Sequence, residues 1–358
     1  MSHAAQTNAK NRLYFIKVSR HPSGSPQLDP VVVSRNKARG VETTLLLDTN
    51  VLIRMEKVVK KGNHWGDLKP FGLDKLVKLL GRCPPENVCL SPGCAFNEMP
   101  PGLAEASRHY FEAFLAEHLP TFTDTPNSTR SAYHGKTENF GFEDLTDEHQ
   151  SVLAASFVSL LHMLLIEYRS DATPIDKFRL LLNRLVSTLD LLSLKEIEIA
   201  RYLFARGDKQ GTPTADSMTA LRSNFAKTKT NKVPKTASEL LHVAFNGACD
   251  LHLMNSAVLM DRRGLDNVPQ DTWIASFDHR LAAFCAIFHY LEDGVDTGMF
   301  GVMDVNVEQE DAPYWRESLR MREHLVDSRL MLPKTIDLSH MRTVAHQTIA
   351  DVRQQFPL

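Results

Sequence analysis

Cysteine is scarce in this chain, and its spacing gives it no architectural role. The five residues, Cys83, Cys89, Cys94, Cys249 and Cys285, contain no Cys-x-x-Cys pair. A disulfide framework and a structural zinc site are therefore not expected, and free thiols fit a reducing cytoplasm. An excess of positive charge is missing too. Lys and Arg number 41 against 43 Asp and Glu, a formal charge of -2. A nucleic acid would have to be met by a local basic surface, not by the field of the whole molecule. The opening MSHAAQTNAK has no apolar h-region, so no signal peptide is expected and the location is expected to be cytoplasmic. The longest apolar run, VLAASFVSLLHMLLI at 152–166, carries His162. It is shorter than the roughly 20 residues a bilayer-crossing helix needs. It reads as a buried core helix, with no membrane partner. Trp65, Trp273 and Trp315 are scattered, so no stacking platform is apparent. Trp273 falls inside a strand and reads as core.

What remains is an ordinary globular composition. The 358 residues are 43% hydrophobic and 23% charged, enough for one large domain with insertions or two modest ones. RLYFIKV (12–18) and PVVVSR (30–35) read as strands, with turn residues between them, and so as an N-terminal hairpin. TTLLL (43–47), NVCL (87–90) and TWIASF (272–277) read as buried strands, and MFGVMDV (299–305) as a fourth. Helical spacing marks 73–80, 103–119, 152–168, 175–205 and 278–291. Two more helices, 238–245 and 249–262, are expected on either side of a break at Gly247. Residues 120–144 read as a loop, and 207–236 are polar. Thr146 is a weak cap for the helix that follows it, since a capping box wants Glu or Gln where His149 stands. Strands alternating with helices imply an α/β fold with a parallel sheet, whose sites lie beyond the carboxyl ends of the strands.

Acids stand at those ends. Asp48 ends the first strand, and Asp278 follows the third. The second strand leads into a short helix bearing Glu98, opened by Ser91-Pro92 as cap and first-turn proline. Asp250 lies near the start of the helix that feeds the third strand. Four carboxylates on one rim would repel and raise each other's pKa. A hard divalent cation, Mg²⁺ or Mn²⁺, removes that penalty. Paired ions of this kind activate water and stabilise the leaving oxygen in phosphodiester hydrolysis. Singly, each acid has a plainer reading. Asp48, Asp250 and Asp278 could be helix caps, and Glu98 a solvated helix residue. Their order on the right elements is what joins them. An Asp after a first strand also opens haloacid-dehalogenase-type phosphatases, but that chemistry needs a second Asp two residues on, and position 50 is Asn. Asp261, Asp271 and Asp304 are spare acids nearby. His252 and His279 flank the set and read as supporting or surface groups.

LLLDTNVLI (45–53) resembles the opening motif of the PIN-domain family: apolar strand, Asp, small polar residue, Asn, apolar helix start. VCLSPGCAFNE (88–98) is similar to the family's second element, CDLHLMNSAVLM (249–260) to its third, and WIASFDHRLAAF (273–284) to its closing element. The resemblance covers residues 43–104 and 237–305. It implies a PIN-like three-layer sandwich around a central parallel sheet. It also implies Asp48, Glu98, Asp250 and Asp278 as catalytic metal ligands, Asn50 and Ser276 as supporting polar groups, and Mg²⁺- or Mn²⁺-dependent cleavage, usually of RNA. The helical blocks between Glu98 and Asp250 depart from a compact member of the family. The expected organisation is a tail or hairpin at 1–42, a nuclease domain at 43–305 interrupted by a helical insertion at about 120–236, and a helical extension at 306–358.

The expected activity is that of a metal-dependent endonuclease, an endoribonuclease first, hydrolysing phosphodiester bonds with water activated on the four-carboxylate site. Arg222, Lys227, Lys229, Lys232 and Lys235 lie in a stretch without acidic residues and form a candidate nucleic-acid-binding segment. The bland reading of that stretch is a solvated loop. Two other readings stay open: a catalytically silent PIN-like module that binds RNA or protein, and a toxin held by an antitoxin. The expected partners are a nucleic acid, RNA first, and either an antitoxin or a second copy of the chain in a homo-oligomer.

Overall fold

The computed structural model describes residues 12–20, 26–122, 140–168, 171–191, 193–206, 213–288, 290–291, 313–330 and 336–355. The expected strand at 299–305, with Asp304, lies outside them, as does most of the expected loop at 120–144. Two compact units divide the chain: Met1–Phe140 with His252–Gly301, and Gly141–Leu251 with Val302–Leu358.

The first unit is built on a four-stranded sheet. Strands β1 (Tyr14–Ile16), β3 (Glu42–Leu47), β4 (Val88–Ser91) and β5 (Gln270–Ser276) are ordered β1-β5-β3-β4. β3 runs parallel to both β4 and β5, while β1 closes the edge antiparallel to β5. The sheet is thus small, mixed and open rather than wholly parallel. β3 explains its own place. Leu45, Leu46 and Leu47 are all fully buried, as a central strand covered on both faces requires. Leu45, Leu47, Trp273 and Ala275 belong to one core with the apolar sides of α2 (Thr49–Lys61), α3 (Trp65–Phe71), α4 (Asp74–Leu80) and α6 (Pro101–His118). The short helix α5 (Gly93–Asn97) follows β4, and α12 (His279–Ile287) follows β5 and packs on β5 and β1. A separate two-stranded pairing joins β2 (Ser19–Arg20) to β6 (Tyr290–Leu291) in parallel.

PVVVSR is not a strand. It opens helix α1, Pro30–Ala38, and the expected hairpin does not form. Asp29 caps this helix through bonds from the backbone N–H groups of Val31 and Val32, at 2.8 and 2.9 Å. Pro30 sits in its first turn, where no N–H is needed. The cap outweighs the β preference of three valines. Nor is 1–42 merely a tail: β1 is a sheet strand and α1 packs on β3.

The second unit is all helical among the described residues: α7 (Asp147–Glu167), α8 (Pro174–Thr188), α9 (Leu194–Phe204), α10 (Pro213–Phe225), most of α11 (Ala237–Arg263), α13 (Pro313–Leu330) and α14 (Leu338–Gln355). α7 holds the long apolar run. Among the described residues it is the one helix long and apolar enough to cross a membrane, and most of it is buried within the protein. That fits the core-helix reading, since a helix apolar all round needs partners all round. Thr146 does cap it, accepting from the backbone of His149 at 3.4 Å. α14 lies along α7 with Met341, Ala345, Ile349 and Val352 buried, and α13 packs on α8 and α9. The expected insertion and the expected C-terminal extension are therefore parts of one unit. The block 175–205 is two helices, and part of the polar 207–236 stretch is α10.

Gly247 does not break a helix: α11 runs through it unbroken. A Cβ there would come within 2.9 Å of both Leu160 and Phe225. The glycine serves close helix packing, so Asp250 lies well inside a helix and is not a cap.

Candidate functional site

Asp48 follows β3 with extended backbone, at the cap position of α2, but its side chain caps nothing. It turns instead to Ser276, the last residue of β5, whose hydroxyl donates to Asp48 Oδ2. Asn50 Nδ2 donates to the same carboxylate oxygen and, at 3.2 Å, to Ser276 Oγ. Asn50 Oδ1 accepts from the backbone of Phe277 at 2.8 Å, and Ser276 Oγ accepts from the backbone of Asp278 at 2.9 Å. Every polar atom of the Asn50 and Ser276 side chains thus has a role. The network ties the carboxyl ends of β3 and β5 together and fixes the Asp48 carboxylate. Asn50 and Ser276, the two expected supporting groups, both bond the Asp48 carboxylate.

Glu98 ends α5, and its Oε2 accepts from the Thr49 hydroxyl at 2.6 Å. Asp278 behaves differently from Asp48. Its Oδ1 accepts from the backbone of Arg280 and Leu281, at 2.7 and 3.4 Å, capping α12. The bland reading therefore holds for one oxygen of Asp278. It fails for Asp48, which caps nothing, and for Glu98, whose carboxyl is enclosed by protein. Thr49 is a residue that sequence reasoning passed over. It stood inside the DTN motif, but only the fold brings Glu98 to it.

The electrostatics follow from the enclosure. Asp48, Glu98 and Asp278 each keep part of the residue exposed, but the Asp48 and Glu98 carboxyl heads are crowded by protein atoms. Burial is the main cause that pushes Asp48 up to about 6. The Asp278 charge adds to it, and the bonds from Ser276 and Asn50 pull the other way. Burial also pushes Glu98 up to about 8, with the Asp48 charge adding and the Thr49 bond opposing. No Lys or Arg pairs with any of the three among the described residues. Such uncompensated, desolvated carboxyls favour a proton or a cation.

The donor set tests the expected metal. Its chemistry fits: oxygen-only carboxylates, buried and unneutralised, suit Mg²⁺ or Mn²⁺. The side chains as they stand are not a closed cage, since among the described residues no three His, Cys, Asp or Glu converge as a ready ligand group. Asp250 belongs to the second unit, where Asn224 Nδ2 donates to its Oδ2 at 3.2 Å. The acid grouping of the first unit is therefore described with three members.

The spare acids are explained elsewhere. Lys17 Nζ lies 2.7 Å from Asp261 Oδ2 and 2.9 Å from Asp271 Oδ1, a nearly buried ionic group. Asp271 also accepts from Asn36 and from the Trp273 indole. Burial alone would lower the Lys17 pKa, but the two carboxylates outweigh it and hold it above its ordinary value. These acids fasten the start of β5 and do not wait for a ligand. Trp273 is 2% exposed, as a core residue should be. His279 is exposed. None of the five cysteines forms a disulfide. Within the basic segment, Arg222 is taken up by structure: its guanidinium donates to the carbonyls of Leu203 and Ala205, at 3.0 and 2.7 Å, closing the end of α9.

No protein-family model, curated protein or solved structure matches this chain.

Proposed function

We propose that this protein is a metal-dependent nuclease of PIN-like type, an endoribonuclease first, with Asp48, Glu98 and Asp278 as its acidic centre. One observation supports this above the rest. Asp48 and Glu98 are enclosed carboxyls beyond the ends of parallel strands, Glu98 opposed by the Asp48 charge and Asp48 by that of Asp278, with no cationic partner among the described residues. A structural role would have supplied a counter-charge, as Lys17 does for Asp261 and Asp271. Asp48, Glu98 and Asp278 would hold Mg²⁺ or Mn²⁺. Asp250, the fourth acid of the family pattern, accepts from Asn224 in the second unit. A bound divalent ion supplies Lewis acidity and charge neutralisation for phosphodiester hydrolysis.

The chain's own groups prepare the site. Ser276 and Asn50 hold Asp48 in one orientation with both strand ends fixed. Thr49 holds Glu98 by one oxygen. Asp278 commits Oδ1 to its helix and leaves Oδ2 for the site. Glu98 carries a proton at neutral pH when no cation is present, so occupancy of the site is linked to release of that proton.

A second reading, a catalytically silent module, is favoured by the lack of three converged ligands among the described residues. A cleavage assay separates the two. Single-stranded RNA and DNA are incubated with the native protein and with Asp48→Asn, in Mg²⁺, Mn²⁺ or chelator. The nuclease reading expects cleavage that needs the ion and is lost in the variant. Folded native protein that cleaves neither polymer supports the silent module. Cleavage that survives Asp48→Asn sinks the assigned centre.

A further inference from the structure

Between α10 and α11 the chain makes a built turn. The backbone N–H of Thr228 donates to Lys232 O and that of Asn231 to Thr228 O, both at 2.8 Å. Asn231 takes the left-handed conformation, with φ +61°. The Thr228 hydroxyl accepts from the backbone of Lys232 at 3.2 Å and lies 3.1 Å from that of Thr230. This turn and the start of α11 enclose a cleft of about 400 Å³, lined by Lys229, Lys232 and Lys235, by Thr228 and Thr230, and by His242. All of it lies in the second unit.

The charges in the cleft are one-sided. Glu239 is the only acid on its wall, and its Oε2 already accepts from the backbone of Lys235 at 2.6 Å. Lys232 and Lys235 have no carboxylate partner among the described residues, and both are exposed. His242 is held below its ordinary pKa by burial and by Lys229, so it is neutral near pH 7 and adds a ring nitrogen rather than a charge. Three ammonium groups with hydroxyls between them suit a chain of phosphates. They are spread over a non-helical stretch from 229 to 235. No Phe, Tyr or Trp lines the cleft, and His242 supplies its one ring, so there is no aromatic platform for successive bases.

We infer that this cleft binds the phosphodiester backbone of a nucleic acid, independently of base sequence, through Lys229, Lys232 and Lys235. The inference narrows the candidate basic segment. Arg222 is excluded by its work at the end of α9, and Lys227 does not line the cleft. It does not rest on the nuclease reading, because binding is measured with the acid centre disabled.

The test is fluorescence anisotropy of a labelled single-stranded RNA oligonucleotide with the full chain in chelator. It compares the native protein, the triple variant Lys229→Ala/Lys232→Ala/Lys235→Ala and the matching triple arginine variant over a range of salt. The alanine variant is expected to bind roughly tenfold more weakly at low salt, with its log–log salt slope flattened by about 2. The arginine variant is expected to keep both the affinity and the slope. The lysines are exposed, and a far-UV spectrum checks that the fold is kept. Equal binding and equal slope in the alanine variant overturn the inference. So does binding of inorganic triphosphate or of phosphatidylserine vesicles that RNA does not displace, which would make the cleft a site for small oligophosphates or for a lipid surface.

Discussion

At the scale of single residues, Ser276 carries more than its size suggests. It is fully buried and serves Asp48, Asn50 and the Asp278 backbone at once. Ser276→Ala would strand that enclosed N–H and remove a stabilising bond from Asp48. The expected loss is about 1–3 kcal/mol in urea unfolding. A change below about 0.5 kcal/mol would mean the network is ornamental. Asp48 and Glu98 make a second prediction. Their folded pKa values, about 6 and about 8, lie above the ordinary 3.8 and 4.5. The folded chain therefore holds more protons than the unfolded one across this range. The stability they contribute is complete below pH 3.8 and is lost as pH rises through about 6 and then about 8. In chelator, the melting temperature is expected to fall between pH 5 and pH 8.5. Mn²⁺ is expected to restore it at pH 8.5 and to do little at pH 5, and Glu98→Gln to flatten the fall. Calorimetry with and without Mn²⁺ checks this, and an ion effect equal at both pH values would sink it.

At the scale of elements, legibility depended on which signal was dominant. β3 and β5 were visible because buried apolar runs followed by Asp leave few alternatives. α1 was not, because Val31, Val32 and Val33 spoke for a strand while Asp29-Pro30, the stronger local signal, spoke for a helix start. Asp48 and Asp278 looked alike in the sequence, each following a strand. Only hydrogen bonding separates the one that caps from the one that does not. Gly247 looked like a break because its reason lies at Leu160 and Phe225, far away along the chain. Gly247→Ala gains about 1 kcal/mol of helix propensity. Crowding against those two side chains should outweigh this, for a net loss of about 1–2 kcal/mol. A stabilised variant in thermal unfolding would show that the neighbours yield easily.

At the scale of the whole molecule, the sequence conveyed an α/β protein with an added helical body, but not where the added body ends. The membership of α14 is set by contact with α7, and nothing in residues 306–358 announces that partner. α14 buries Met341, Ala345, Ile349 and Val352, and α7 has scarcely a polar side to offer water. Deleting residues 336–358 is therefore expected to expose a broad apolar surface, with strong binding of a hydrophobic dye and loss of soluble protein. A soluble, dye-silent truncation would show that α14 is dispensable to its unit. The sheet's antiparallel edge was legible in part: the strand expected within 12–18 is β1, but it pairs with β5 and not in a hairpin with 30–35.

The pairing of β3 with β5 also sets a clock. Asp48 and Ser276 stand 228 residues apart in the chain, so a ribosome adding about 5–20 residues per second takes roughly ten to forty-five seconds to get from one to the other. Throughout that interval β3 is a leucine-rich strand with β4 at most on one edge and its β5 edge open, the period when a nascent chain most needs shielding from its copies. The acid centre cannot assemble until the interval closes. For the proposed nuclease, the emerging polypeptide is harmless to its own message until synthesis has passed Asp278.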